Sequence, residues 1–231
     1  MKTTMALKPL AFALAALMAV AAQAGQPNHH PQPAPTTAAA TTQDGQSNHG
    51  NVVLNDKTKN NASANDSYNN ISGVANGNVL SGDNNQGKND VAIVSGDADF
   101  VFASTGTAQS NTGNLVVNSG TKNNASLNDS GNHASGVIQL NAASGASNQG
   151  SSSVAIASGN GDSGAATVAG VQDVSGNLTQ NLSSGHGWSS KPVVNNASVN
   201  NSMNFSSGVS NSNVLSGSNN QGQNNVAITR F

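Results

Sequence analysis

Apolar residues in this chain come in short pieces set among Asn, Ser and Gly, such as NVVLN at Asn51–Asn55, GVANGNVLSG at Gly73–Gly82 and DVAIV at Asp90–Val94. None of these pieces has the 3.6-residue apolar period of an amphipathic helix, and Asn, Ser and Gly are poor helix formers. Extended structure suits them better. In a strand, Val91 and Ile93 fall on one face and Ala92 on the other. Gly82 and Gly87 suit turns that need positive φ. The pattern predicts short strands, three or four to a unit, folded into one flat layer.

The units recur. SGDNNQGKNDVAI (Ser81–Ile93) returns as SGASNQGSSSVAI (Ser144–Ile156) and SGSNNQGQNNVAI (Ser216–Ile228). The match extends without a gap over 34 residues, from Asn60–Ile93 to Asn123–Ile156 and Asn195–Ile228, with 19 positions identical in all three. Biased composition scatters its matches; it does not hold register over such a length. NVVLN at Asn51 and NLVVN at Asn114 preface the first two units, and NLTQN at Asn177 stands further ahead of the third. The organisation read from this text is a signal peptide at 1–24, a disordered Pro/Thr-rich leader at 25–50, and repeat 1 at 51–93. A linker at 94–113 follows, then repeat 2 at 114–156, a second linker at 157–194, and repeat 3 with the C-terminus at 195–231. Phe100 and Phe102 alternate within the first linker, which leaves open an extra strand or a loose connector.

The expected fold class is therefore all-β: three imperfect repeats stacked as solenoid-like, cross-β layers about 4.8 Å apart, with a disordered leader and linkers. Stacking places Asn85 with Asn148 and Asn220, and Gln86 with Gln149 and Gln221, as amide columns that hydrogen-bond along the stack. Val91, Ile93, Val154, Ile156, Val226 and Ile228 form the expected apolar core. Neither the Pro-rich leader nor the third unit offers a cap, so the outer strands are expected to recruit further copies of the chain.

Composition supports that picture. Asn, Ser and Gly make up two-fifths of the 231 residues and aromatics are 3%. That leaves too little apolar area for a conventional core. The start of the chain has Lys2 and Lys8, the run LAFALAALMAVAA, and Ala22-Gln23-Ala24, the marks of a secretory signal cut after Ala24. What remains has a net charge of −4, which argues against a nucleic-acid partner. Export permits disulfides, yet the chain has no cysteine.

The three repeats, each opening like NNASLNDS and closing like SGDNNQG…VAI, with the signal peptide and two variable linkers, resemble the fibril subunits of the functional amyloid of Pseudomonas, the Fap family. Within that family the chain looks more like the major subunit than the minor nucleator. The resemblance implies self-assembly into secreted, extracellular amyloid fibrils at the cell surface, supporting biofilm. It also implies a minor nucleating subunit, a periplasmic chaperone and an outer-membrane export pore as partners. The chain departs from the family in lacking a Cys-x-x-Cys pair near its C-terminus.

No enzyme emerges. GDSG at Gly161–Gly164 echoes a serine-protease loop, but it sits in a Gly/Ser-rich linker. His49, His133 and His186 occupy unlike contexts, no carboxylates are spaced as an acid/base pair, and no cofactor or metal site is expected. The alternatives to a fibril subunit are a monomeric β-solenoid adhesin or surface-binding module, and the minor nucleating subunit of the same fibril.

Overall fold

The computed structural model describes residues 36–185 and 190–231; the expected signal peptide and the start of the leader lie outside them. The described residues form strands, turns and bends, with no helix. The first layer holds β1 (Thr37–His49), β2 (Val52–Asp56), β3 (Lys59–Asn65), β4 (Ser72–Asp83) and β5 (Gln86–Ser95). The second holds β6 (Phe100–Thr112), β7 (Leu115–Ser119), β8 (Lys122–Asn128), β9 (Ser135–Ala146) and β10 (Gln149–Ser158). The third holds β11 (Ser163–Ser175), β12 (Leu178–Leu182), β13 (Val194–Asn200), β14 (Ser207–Ser218) and β15 (Gln221–Arg230). Each strand pairs in parallel with its counterpart in the next layer, giving five three-stranded sheets: β1-β6-β11, β2-β7-β12, β3-β8-β13, β4-β9-β14 and β5-β10-β15.

A layer thus has five strands rather than three or four. The 34-residue units are its last three strands, and the prefaces are β2, β7 and β12. The leader and linkers also differ from expectation. β1 lies in the span read as leader, β6 in the first linker, and β11 and β12 in the second. Between β1, β6 and β11 the register is unbroken, from Thr37 with Phe100 and Ser163 to His49 with Thr112 and Ser175. The reason is that parallel pairing uses the backbone, and the inner face of these strands takes small side chains in its first half and layer-to-layer amides in its second. Ala40, Val101, Ala103, Ala166 and Val168 pack there against Ala92, Ala155 and Ala157. The three strands can differ in text and still match in length; Gln46, Gln109 and Gln172 recur.

What connects the layers is short: residues 96–99 and 159–162. One true insertion remains. The offset between layers is 63 residues at Leu115 and Leu178, and 72 at Lys122 and Val194. The nine additional residues fall between β12 and β13.

Within a layer the strands fold back on one another. The β5 sheet meets the β1 sheet on one face and the β4 sheet on the other, and β4 also meets β3. Apolar packing is divided among small clusters. The largest lies between the β3 and β4 sheets, with Leu127, Ile138 and Leu140 almost fully buried among alanines. The expected Val/Ile core is only partly core. Val154 is fully buried, but Ile156 is half-buried, and Ile93 and Ile228 are 45% and 40% exposed. Val91 and Ile93 line a shallow groove with Val74 and Asn76. The alanine between them faces the β1 sheet, so in the middle strand Ala155 is the buried member beside a half-buried Ile156.

Glycine columns bound the β4 sheet. Gly82, Gly145 and Gly217 have φ of 95°, 110° and 110°, and a Cβ on Gly145 would lie 2.0 Å from the Gly217 carbonyl oxygen. Only glycine allows this conformation and this approach. Gly87 has no positive φ; it lies inside β5, where a Cβ would press on Leu80 and Asn78.

Candidate functional site: a self-assembly ladder

The interior of the stack is lined by amides. Gln149 and Gln109 are among the largest fully buried side chains, with Asn111, Asn114 and Asn118. Burying an amide without a partner costs about 1–3 kcal/mol, so a chain this rich in buried amides must pair them. Parallel register supplies most of the pairing where identical residues sit one layer apart; at Gln139, which lies between Asn76 and Asn211, the Oε1 has no partner.

The structure brings each of the two expected sets of amides together, one layer apart. Gln86, Gln149 and Gln221 share a register position. Gln149 Nε2 donates to Gln86 Oε1 at 2.9 Å, and Gln221 Nε2 to Gln149 Oε1 at 3.3 Å. Asn85, Asn148 and Asn220 also align, and they join layers through backbone N–H donors and through one side-chain bond, from Asn220 Nδ2 to Asn148 Oδ1 at 3.0 Å. The N–H of Asn148 donates to Asn85 Oδ1, and that of Asn220 to Asn148 Oδ1, both at 3.1 Å. Their side chains also donate to strand carbonyls, as Asn148 Nδ2 does to Ser144 and Gly217. These asparagines therefore clamp the turn before β5, β10 and β15 as well as linking layers.

Sequence reasoning missed most of the ladder. Asn55–Asn118–Asn181, Asn60–Asn123–Asn195, Asn78–Asn141–Asn213 and Gln46–Gln109–Gln172 are linked side chain to side chain at 2.8–3.1 Å. Asn60 and Asn78 recur in all three units, so identity between copies was the available signal. Gln46 lies outside those units, and a 63-residue comparison was needed to find it.

The columns have direction. Asn60 Nδ2 donates to Asn123 Oδ1 and Asn123 Nδ2 to Asn195 Oδ1. The neighbouring column runs the other way, with Asn196 Nδ2 donating to Asn124 Oδ1 and Asn124 Nδ2 to Asn61 Oδ1. Each outer layer therefore presents both donors and acceptors. What the first layer lacks at a position, the third layer supplies.

Charge is confined to one end of the stack in the β1–β5 interface. Lys88, 3% exposed, forms an ion pair of 2.6 Å with Asp90 and lies 3.8 Å from Asp44. Its Nζ donates to the Gly106 carbonyl, and Thr107 Oγ1 donates to Asp90 Oδ2 at 2.9 Å. The same register positions hold Ser151 and Ser153 in the second layer, and Gln223 and Asn225 in the third.

The family model for the functional amyloid protein FapB/FapC family matches residues 39–230, which is nearly every described residue. The chain belongs to this family. As a FapB/FapC member it is similar to the functional amyloid subunit FapC of Pseudomonas aeruginosa, with 43% identity over 192 residues, covering 78% of this chain and 56% of that protein. The chain thus spans a little over half the length of this relative. No solved structure matches it. The FapB/FapC match begins within β1 and runs through the linker spans, in keeping with five strands to a layer.

Proposed function

We propose that this chain is a secreted structural subunit that polymerises by stacking the third layer of one copy on the first layer of the next, giving extracellular cross-β fibrils that support biofilm. One observation carries the reading. β1 to β5 are all outer strands of their sheets, β11 to β15 are the opposite outer strands, and corresponding strands have equal lengths of 13, 5, 7, 12 and 10 residues. Every backbone group on one face therefore has a counterpart on the other, and the directional amide columns continue across the junction. Such edges are templates for the next strand. The work is structural and not enzymatic.

The role of main fibril subunit, and the partnership with a minor nucleating subunit, a periplasmic chaperone and an outer-membrane pore, rest on the family resemblance. The test is to incubate the purified mature chain and follow thioflavin fluorescence with electron microscopy. Fibrils that seed fresh protein are expected. A chain that stays monomeric, with intact β circular dichroism, would instead make it a solenoid binding module.

A further inference from the structure

Several charges of the first layer align with neutral residues in the second: Lys88, Asp90, Asp83 and Asp44 with Ser151, Ser153, Ala146 and Thr107 respectively. Asp66 and Asp129 are separated by one layer, and Asn201 donates from its side chain to Asp129, which relieves that pair. Asp99 and Asp162 also fall one layer apart at the start of β6 and β11, where Thr36 donates to Asp99. One column brings two cations together. Lys59 stands directly against Lys122, one layer apart.

The third layer should end this column at Val194, which pairs with Lys122. The nine-residue insertion brings a lysine back. Ser184 and Lys191 form an antiparallel bridge with backbone bonds of 2.9 and 2.7 Å, beside Gly120, whose missing side chain leaves the room. Lys191, Lys57, Lys59 and Lys122 then line one cleft of about 360 Å³. All four are exposed. Among the described residues the ion pairs are those of Lys88, so none of the four has a carboxylate within 4.0 Å. Asp56, next to Lys57 in sequence, leaves an excess of three positive charges. Four of the six cations beyond residue 24 are thus gathered at one corner of a chain with net negative charge.

We propose that this lysine corner is a docking site for a nucleic-acid backbone laid along the fibril. The proposal rests on the polymer described above, because stacking repeats the corner every three layers, about 14 Å. Along the fibril edge that gives roughly one lysine per 3.6 Å. A nucleic-acid strand carries one phosphate per about 3.4 Å, so the mean charge density of the corner, with Lys57 and Lys59 sharing one layer, is close to that of the strand and requires no particular sequence. All four cations are lysines, which bind phosphate as point charges and impose no fixed geometry on the strand. The net charge of the whole chain does not prevent this, because charges beyond about 8 Å are screened at physiological salt.

The experiment uses fibrils of the mature chain, checked by electron microscopy, and a fluorescent DNA duplex in a sedimentation assay. Wild-type fibrils are expected to bind, with affinity falling as salt rises. The variant with Lys57→Ser, Lys59→Ser, Lys122→Ser and Lys191→Ser should still form fibrils and lose about tenfold or more of its DNA affinity at low salt, with the slope of log K against log salt reduced by about 0.9 for each phosphate no longer neutralised. A paired comparison removes net charge as an explanation. Lys59→Ser with Lys122→Ser, and Ser95→Asp with Ser175→Asp, change the charge equally, but only the first should weaken binding. Fibrils that do not bind DNA, or bind it equally in the lysine variants, overturn the proposal. So does polyglutamate that displaces DNA at equal charge concentration, which would assign the corner to polycarboxylates. Failure to form any fibrils would count against the polymer reading, not against the corner.

Discussion

At the scale of residues, an amide here does what a leucine does in an ordinary core. Gln149 is completely buried, accepts from Gln221 and donates to Gln86, and also reaches the Asp173 carbonyl. Replacing Gln86, Gln149 and Gln221 together by Asp puts three carboxylates in one column. At pH 7 they repel one another and resist burial; at pH 3 most are protonated. The triple variant is expected to lengthen the fibrillation lag much more at pH 7 than at pH 3, each compared with wild type at the same pH. An equal penalty at both would remove these residues from the ladder. The Lys88–Asp90 pair gives a second prediction. Lys88→Ser alone leaves Asp90 buried without its cation, a loss of about 3–5 kcal/mol. Adding Asp90→Ser reproduces the Ser151 and Ser153 arrangement of the second layer, so guanidinium resistance of the fibrils should recover toward wild type. The glutamine column was legible because its text recurs. The ion pair was not, since Lys88 and Asp90 share a face of β5 that only the opposing β1 sheet makes an interior.

At the scale of elements, text and structure part company in β6 and β11. Their spans were read as connectors because their residues differ, yet each is a 13-residue strand. Side-chain identity reports columns of amides; it is silent where alanine, valine or threonine serve equally. The face of the VAI strands was misread for a related reason. Alternation identifies two faces, but it does not say which one a neighbouring sheet covers. Two deletions separate strand from insertion. Removing Ser163–Ser175 takes away β11 and uncovers Ala155, Ala157 and their neighbours, so assembly should slow severalfold or fail, as followed by thioflavin fluorescence. Removing Ser184–Pro192 takes out nine residues and restores the 63-residue offset, so fibrils should form at a rate near that of wild type. If the second deletion were the more damaging, the insertion would be part of the stack.

At the scale of the whole molecule, three layers per chain would set the repeat of the proposed fibril. Stacking third layer on first predicts one subunit per about 14 Å of each filament. Mass-per-length measurement by scanning transmission electron microscopy tests this, and one subunit per about 4.8 Å would mean that each chain contributes a single layer. The overall architecture, all-β with stacked repeats, was readable because 34 residues hold their register three times. The length of the layer was not, because two of its five strands lie in text of lower identity.

The sparing use of apolar surface has a thermal consequence. Heat capacity changes on disordering because apolar groups gain hydration, while exposed polar groups shift it the opposite way, by about +0.45 against −0.26 cal/K/mol per Å². A stack whose largest buried side chains include Gln109, Gln139, Gln149, Asn111, Asn114 and Asn118 places much amide area on the opposing side of that balance. Its stability should therefore vary little with temperature, without the weakening on cooling that hydrophobic cores show. A fibre built this way holds in the cold as it holds at growth temperature.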